Sequence, residues 1–188
     1  MTTALATSAE GLSHLRRDIS QRTGRGLNAI VAGILLWTTF TILGTLITDT
    51  DILALVYVFG AGVLFPLSLL VAKPLRLDPF AKGNPLGVLA GLLGAAQILF
   101  VPLMIGATLA VPAMVPWFLA VLVGAHFLPF SWVYDSRAYI FAAVSIPIVV
   151  GLIAWLLPST VALTVPASVA VLLILTAVLL RGENTQTS

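Results

Sequence analysis

The sequence predicts an all-α polytopic membrane protein, a bundle of six transmembrane helices with both termini in the cytoplasm. Three observations carry this. The 188 residues are 60% hydrophobic and 9% charged, with mean hydropathy +1.12, whereas soluble domains are about a quarter charged. Six apolar stretches of about 20 residues each are long enough, at ~1.5 Å rise per residue, to cross a hydrocarbon layer of about 30 Å. With the N-terminus inside, all nine basic residues (Arg16, Arg17, Arg22, Arg25, Lys73, Arg76, Lys82, Arg137 and Arg181) fall in inner segments and none in outer turns, as the positive-inside rule requires.

Residues 1–26 read as a cytoplasmic N-terminal segment. Thr7 with Glu10 fits a capping box, and Leu12, Leu15 and Ile19 share a face beside Arg16 and Ser20, which predicts a short amphipathic helix on the inner membrane surface. The Arg16-Arg17 pair before an apolar run also fits a twin-arginine export signal. No Ala-x-Ala site follows, however, and five further apolar segments do, so a retained segment is expected.

The membrane domain is expected over residues 27–180. Span one, 27–48, carries Thr38, Thr39, Thr41 and Thr45, whose hydroxyls can bond back to their own helix. An acidic turn through Asp49 and Asp51 leads into span two, 52–72, and a polar loop from Lys73 to Asn84 into span three, 85–108. Pro85 opens that span where a missing amide is harmless. Gly87, Gly91 and Ala95 recur every four residues with Gly94 alongside, which predicts a groove for close backbone approach, a central packing helix and a possible homo-oligomer contact. Span four, 116–134, ends at Asp135-Ser136-Arg137. Spans five, 138–157, and six, 160–180, are joined at Pro158-Ser159, and residues 181–188 form a polar cytoplasmic tail. Spans two to six each hold an internal proline, Pro66, Pro102, Pro129, Pro147 and Pro166, which frees a carbonyl four residues back. Phe65-Pro66-Leu67-Ser68 and Leu128-Pro129-Phe130-Ser131 share a pattern that fits either a parallel repeat or coincidence among apolar residues.

Chemistry is sparse. The chain has no cysteine and two histidines, His14 and His126, so disulfides, thiolate nucleophiles and a histidine metal cluster are excluded, and no cofactor is expected. The basic surplus is too small to point to nucleic acid. His126 lies ten residues past Pro116 in an uncharged stretch, about 15 Å along the axis and near the bilayer midplane. It reads either as an interhelical hydrogen-bond strut or as a ligand or proton site. Gln97 lies at similar depth in span three, and the two are expected to bond to each other.

The residues also resemble a family. Leu15 through Gly26, Phe65-Pro66-Leu67, Asp78 with Asn84-Pro85-Leu86, and above all Gly124-Ala125-His126-Phe127-Leu128-Pro129-Phe130-Ser131-Trp132 with Tyr134 are similar to small multi-pass bacterial membrane proteins of unknown function. The resemblance covers spans one to five and implies a bacterial inner-membrane setting without a mechanism.

Three function classes follow. The leading one is a non-catalytic bundle that meets lipids or partners through its inner face, where Lys73, Arg76, Lys82 and Arg137 are candidates for anionic headgroups. The alternative is a small-solute or proton-coupled carrier that uses His126 and Gln97. An intramembrane enzyme ranks last, because the apolar spans hold no carboxylate and no serine next to a base in sequence.

Overall fold

The computed structural model describes the backbone of residues 2–186 and the side chains of residues 10–185. Helix α1 (Thr2–Thr23) is followed by a three-residue turn, Gly24–Gly26, and by α2 (Leu27–Leu46) and α3 (Thr50–Ala72). The third span is divided into α4 (Pro85–Ala95) and α5 (Val101–Ala110), and α6 (Val115–Tyr134), α7 (Arg137–Leu156) and α8 (Val161–Gln186) complete the chain. Among the described residues, six helical segments are long and apolar enough to cross a membrane. The fold is therefore the all-helical multi-span bundle expected from composition.

Local chemistry starts the helices where the sequence suggests. The Asp49 carboxylate accepts from the Asp51 and Ile52 amides at 2.9 and 3.1 Å and caps α3, and the Asn84 side chain accepts from Leu86 N at 2.9 Å to cap α4 behind Pro85. These bonds satisfy amides that the first helical turn leaves open. Thr39, Thr41 and Thr45 bond back to Leu35, Trp37 and Ile42 carbonyls. Ser68 and Ser131 do the same three residues back, each at 2.7 Å, so the two similar proline motifs share a local geometry.

Three expectations need correction. The helix already runs from Thr2 through Thr7, so no helix begins at the supposed capping box, and the Thr7 side chain itself lies outside the described side chains. Span three is not one regular helix, because Ala96–Phe100 tightens to 3-10 geometry just before Pro102, whose ring cannot sit against the carbonyl four residues earlier. Nor is span three central. Only 6% of its apolar window is buried against the rest of the protein, compared with 39% for span six, and a Cβ at Gly91 or Gly94 would meet nothing within 4 Å.

The central helix is α8. It packs between α2 and α7, α3 lies against the other side of α2, α6 against α7, and the divided third span closes the ring with lighter contacts to α3 and α6. Glycines allow close approaches between helices. A Cβ on Gly44 would fall 2.6 Å from the Ala162 carbonyl oxygen, and one on Gly124 would fall 2.6 Å from Pro147 Cδ. The same Ala162 carbonyl accepts from the Tyr57 hydroxyl at 3.0 Å, which ties α3 to α8. Trp37, Phe40 and Tyr57 form a buried aromatic cluster between α2 and α3, with Phe40 and Tyr57 centroids 4.5 Å apart. Helix order places the α1–α2 turn, the 73–84 loop, the α6–α7 turn and the last turns of α8 at one end, the basic end.

Candidate functional site at the basic end

The basic end is organised by the turn between α1 and α2. Gly24, Arg25 and Gly26 all take left-handed backbone angles, with φ of 57°, 53° and 71°, a conformation open to glycine and strained for arginine. Arg25 is held there from several sides. The Tyr139 hydroxyl donates to the Arg25 carbonyl at 2.7 Å, the Arg25 guanidinium donates to the Asn184 side chain, and Asn184 Nδ2 donates to the Gly24 carbonyl at 3.3 Å. Glu183 lies 3.8 Å from Arg25 Nε. Its other carboxylate oxygen accepts from the Arg137 and Ala138 amides at 3.0 and 3.1 Å, at the end of α7 where the helix dipole stabilises a negative charge. The last turns of α8 thus lock the α1–α2 turn to the start of α7.

Helix α1 folds back onto the bundle, and its faces divide the work. Leu15 and Ile19 turn toward the core. On one flank Arg22 pairs with Asp78 and donates to the Lys82 carbonyl at 3.0 Å. Asn84 Nδ2 donates to the Asp18 carboxylate at 2.8 Å and to the Leu15 carbonyl at 2.9 Å. The Arg22 guanidinium, hydrogen-bonded to Asp78, holds that carboxyl below its ordinary range, assisted by the Phe80 and Ala81 amides. On the other flank Ser20 donates to the Tyr134 carbonyl at 3.2 Å, and the Arg16 guanidinium carbon sits 4.1 Å from the centre of the Trp132 ring.

Between that second flank and the end of α6 lies a half-open cavity of about 600 Å³, lined by Leu12, Ser13, Arg16, Arg17, Ser20 and Gln21 of α1, Arg25 of the turn, and Tyr134 and Asp135. Ligand sites commonly enclose about 300–1,000 Å³. Three of the nine basic residues face this space, against one carboxylate, Asp135.

The predicted midplane pair does not form. His126 Nδ1 lies 3.0 Å from the Val123 carbonyl of its own helix, and its ring packs beside Phe127 and edge-on to Phe130 at 5.3 Å. No hydrogen bond joins His126 to Gln97 among the described residues, and neither lines the cavity. His126 instead begins an aromatic column that continues through Phe130, Tyr134 and Tyr139 with ring centres 5.5–6.0 Å apart and ends at the Arg25 turn. Lys73, Arg76, Lys82 and Arg137 are exposed at the basic end but outside the cavity wall. Of the small-residue series, only Gly87 is used, with its Cβ position 2.6 Å from the Phe80 carbonyl oxygen.

Sequence reasoning missed Arg25, Glu183, Asn184 and Tyr139 as one unit. Two glycines bracketing an arginine at the foot of a span were the available signal, since consecutive positive-φ positions select glycine. Its three partners come from residues more than a hundred positions away, which no local pattern announces.

The chain matches no curated protein and no solved structure. A family model does match it from residue 12 to residue 183, a range that takes in Arg16, Arg25, Tyr139 and Glu183. The chain belongs to the family of unknown function DUF7010.

Proposed function

We propose that this chain is a non-catalytic protein of the bacterial cytoplasmic membrane whose basic end faces the cytoplasm and engages anionic phospholipid headgroups. One observation carries the reading: all nine basic residues gather at a single end of the bundle, and α1, which folds back, adds three of them and the α1–α2 turn a fourth to those of the 73–84 loop, the α6–α7 turn and the end of α8. Basic residues beside a negatively charged leaflet gain roughly 1 kcal/mol each. The bacterial setting rests on the resemblance carried by the span-four motif. His126 bonds its ring nitrogen to its own helix and packs against Phe127 and Phe130 of that same helix, an arrangement that supplies neither the interhelical bond of a strut nor a polar partner for a solute or proton relay.

Two measurements test this. Single cysteines at Asp49, Thr108 and Ser159 are expected to react with an impermeant thiol reagent from the periplasmic side, and one at Gly83 to stay protected in intact cells; labelling of Gly83 from outside reverses the orientation. Thermal unfolding in detergent is then compared with and without phosphatidylglycerol. Wild type is expected to be stabilised by the lipid, and the Lys73→Gln, Arg76→Gln double variant to be stabilised less, because two exposed cations are gone. An equal gain in both proteins, or none in either, rejects the headgroup role of the loop.

A further inference from the structure

We propose that the cavity beneath α1 is a discrete site for one phosphate ester that carries a hydrogen-bond donor, a hydroxyl or an ammonium, a few atoms from the phosphorus. The inference rests on the reading of the basic end as an anion-facing surface and adds a specific place and chemistry to it.

The cations at this end are not equivalent. Arg22 is paired with Asp18 and Asp78, and Arg25 is engaged by Glu183 and Asn184. Arg16 and Arg17, in contrast, have no carboxylate within ion-pair distance among the described residues. They sit on adjacent positions of α1, and both line the cavity. Arg16 Nε is shielded from solvent and has no hydrogen-bond partner, an arrangement that leaves a charged donor unsatisfied. Its guanidinium is also held over the Trp132 ring, so it is positioned before any ligand arrives, and a planar arginine fork suits phosphate oxygens.

The opposite wall specifies the rest of the ligand. Asp135 ends α6 with a left-handed backbone (φ 49°) and lines the same cavity. A carboxylate there repels a ligand that is anionic throughout and accepts from a hydroxyl or ammonium instead. Ser13 and Gln21 add neutral polar groups on the α1 side, and Leu12 and Tyr134 add apolar surface. A single phosphate near Arg16 and Arg17, with its donor toward Asp135, satisfies both walls. Phosphatidylglycerol, phosphatidylethanolamine and free glycerol phosphate share this chemistry, whereas phosphatidylcholine carries the phosphate without a donor.

The test uses the full-length protein. Wild type in nanodiscs of phosphatidylcholine is compared with nanodiscs that also contain phosphatidylglycerol or phosphatidylethanolamine, with lipid retained after detergent extraction counted by native mass spectrometry. Glycerol 3-phosphate and inorganic phosphate are titrated separately by thermal shift. Wild type is expected to retain the donor-bearing lipids at least fivefold over phosphatidylcholine. Arg16→Gln with Arg17→Gln is expected to abolish that preference, and Asp135→Asn to reduce it while leaving simple phosphate binding unchanged or stronger. Ser13→Trp occupies the cavity without touching an interhelical bond, since the Ser13 hydroxyl bonds only to the Glu10 carbonyl of its own turn; it is expected to act like the double variant even if that variant folds poorly. Saturable glycerol phosphate binding without lipid preference identifies a soluble ligand as the source. Retention unchanged by both the double variant and Ser13→Trp overturns the site. If phosphatidylglycerol still stabilises those variants as it does wild type, the general anionic surface stands and only the discrete site fails; if anionic lipid has no effect on any form, both readings fall.

Discussion

Gly26→Ala is expected to destabilise the protein by about 2–4 kcal/mol, from two sources that act at the same atom. A left-handed backbone costs a residue with a Cβ roughly 1–2 kcal/mol, and Gly26 has φ of 71°. The new methyl would also stand 2.9 Å from the Tyr139 hydroxyl and 3.3 Å from that of Tyr134. Tyr139 must then move, and its 2.7 Å bond to the Arg25 carbonyl is lost, which leaves buried polar groups unsatisfied at a cost of about 1–3 kcal/mol. Gly11→Ala is the control, because its Cβ would meet nothing within 4 Å on the same helix system, and alanine is the better helix former by roughly 0.5–1 kcal/mol. Reversible unfolding in mixed micelles, followed by circular dichroism, separates the two. Similar midpoints for Gly26→Ala and Gly11→Ala contradict the account of the turn as a backbone-determined clamp.

Gly44→Ala is expected to have an effect of similar size by a different route, overpacking between the two helices with the most extensive contact, α2 and α8. Its Cβ would fall 2.6 Å from the Ala162 carbonyl oxygen. That oxygen belongs to the backbone and cannot rotate away as a side chain can, so the helices must part. Overpacking of a dense core costs about 1–3 kcal/mol, and separation also stretches the Tyr57 bond to the same carbonyl, now 3.0 Å. Gly62→Ala, also in a span but open around its Cβ, is expected to be nearly neutral. Should Gly44→Ala match Gly62→Ala in unfolding midpoint, the close α2–α8 contact does not hold the bundle together.

The two classes of glycine show where sequence reading succeeds. Gly87, Gly91 and Ala95 form a regular small-residue series, yet the structure leaves Gly91 open and buries span three least of all. Gly44 and Gly124 have no comparable pattern, yet each stands where a Cβ would fall 2.6 Å from a neighbouring helix. Regular spacing along one helix says that a close approach is sterically allowed; it does not say that a partner is present. The same holds for His126 and Gln97. Their similar depth follows from counting residues, whereas a bond between them needs matching rotation about two helix axes, and His126 uses its ring nitrogen on its own helix instead.

What the sequence by itself determined is one-dimensional: membrane class, number of spans, the start of span three at Pro85, the capacity of the span-one threonines to bond back, and the gathering of basic residues at alternate connections. Each depends on hydrophobicity, capping or charge within a few neighbouring residues, and the bilayer removes most other solutions by requiring every spanning backbone group to be bonded internally. Only the tertiary structure decided that α8 is central, that α1 docks across the 73–84 loop, and that Glu183 and Asn184, in an apparent tail, hold Arg25 in a strained turn beside an arginine-lined cavity. These features join residues up to 160 positions apart, and they depend on helix rotation and side-chain reach, which chain-local preferences leave undetermined.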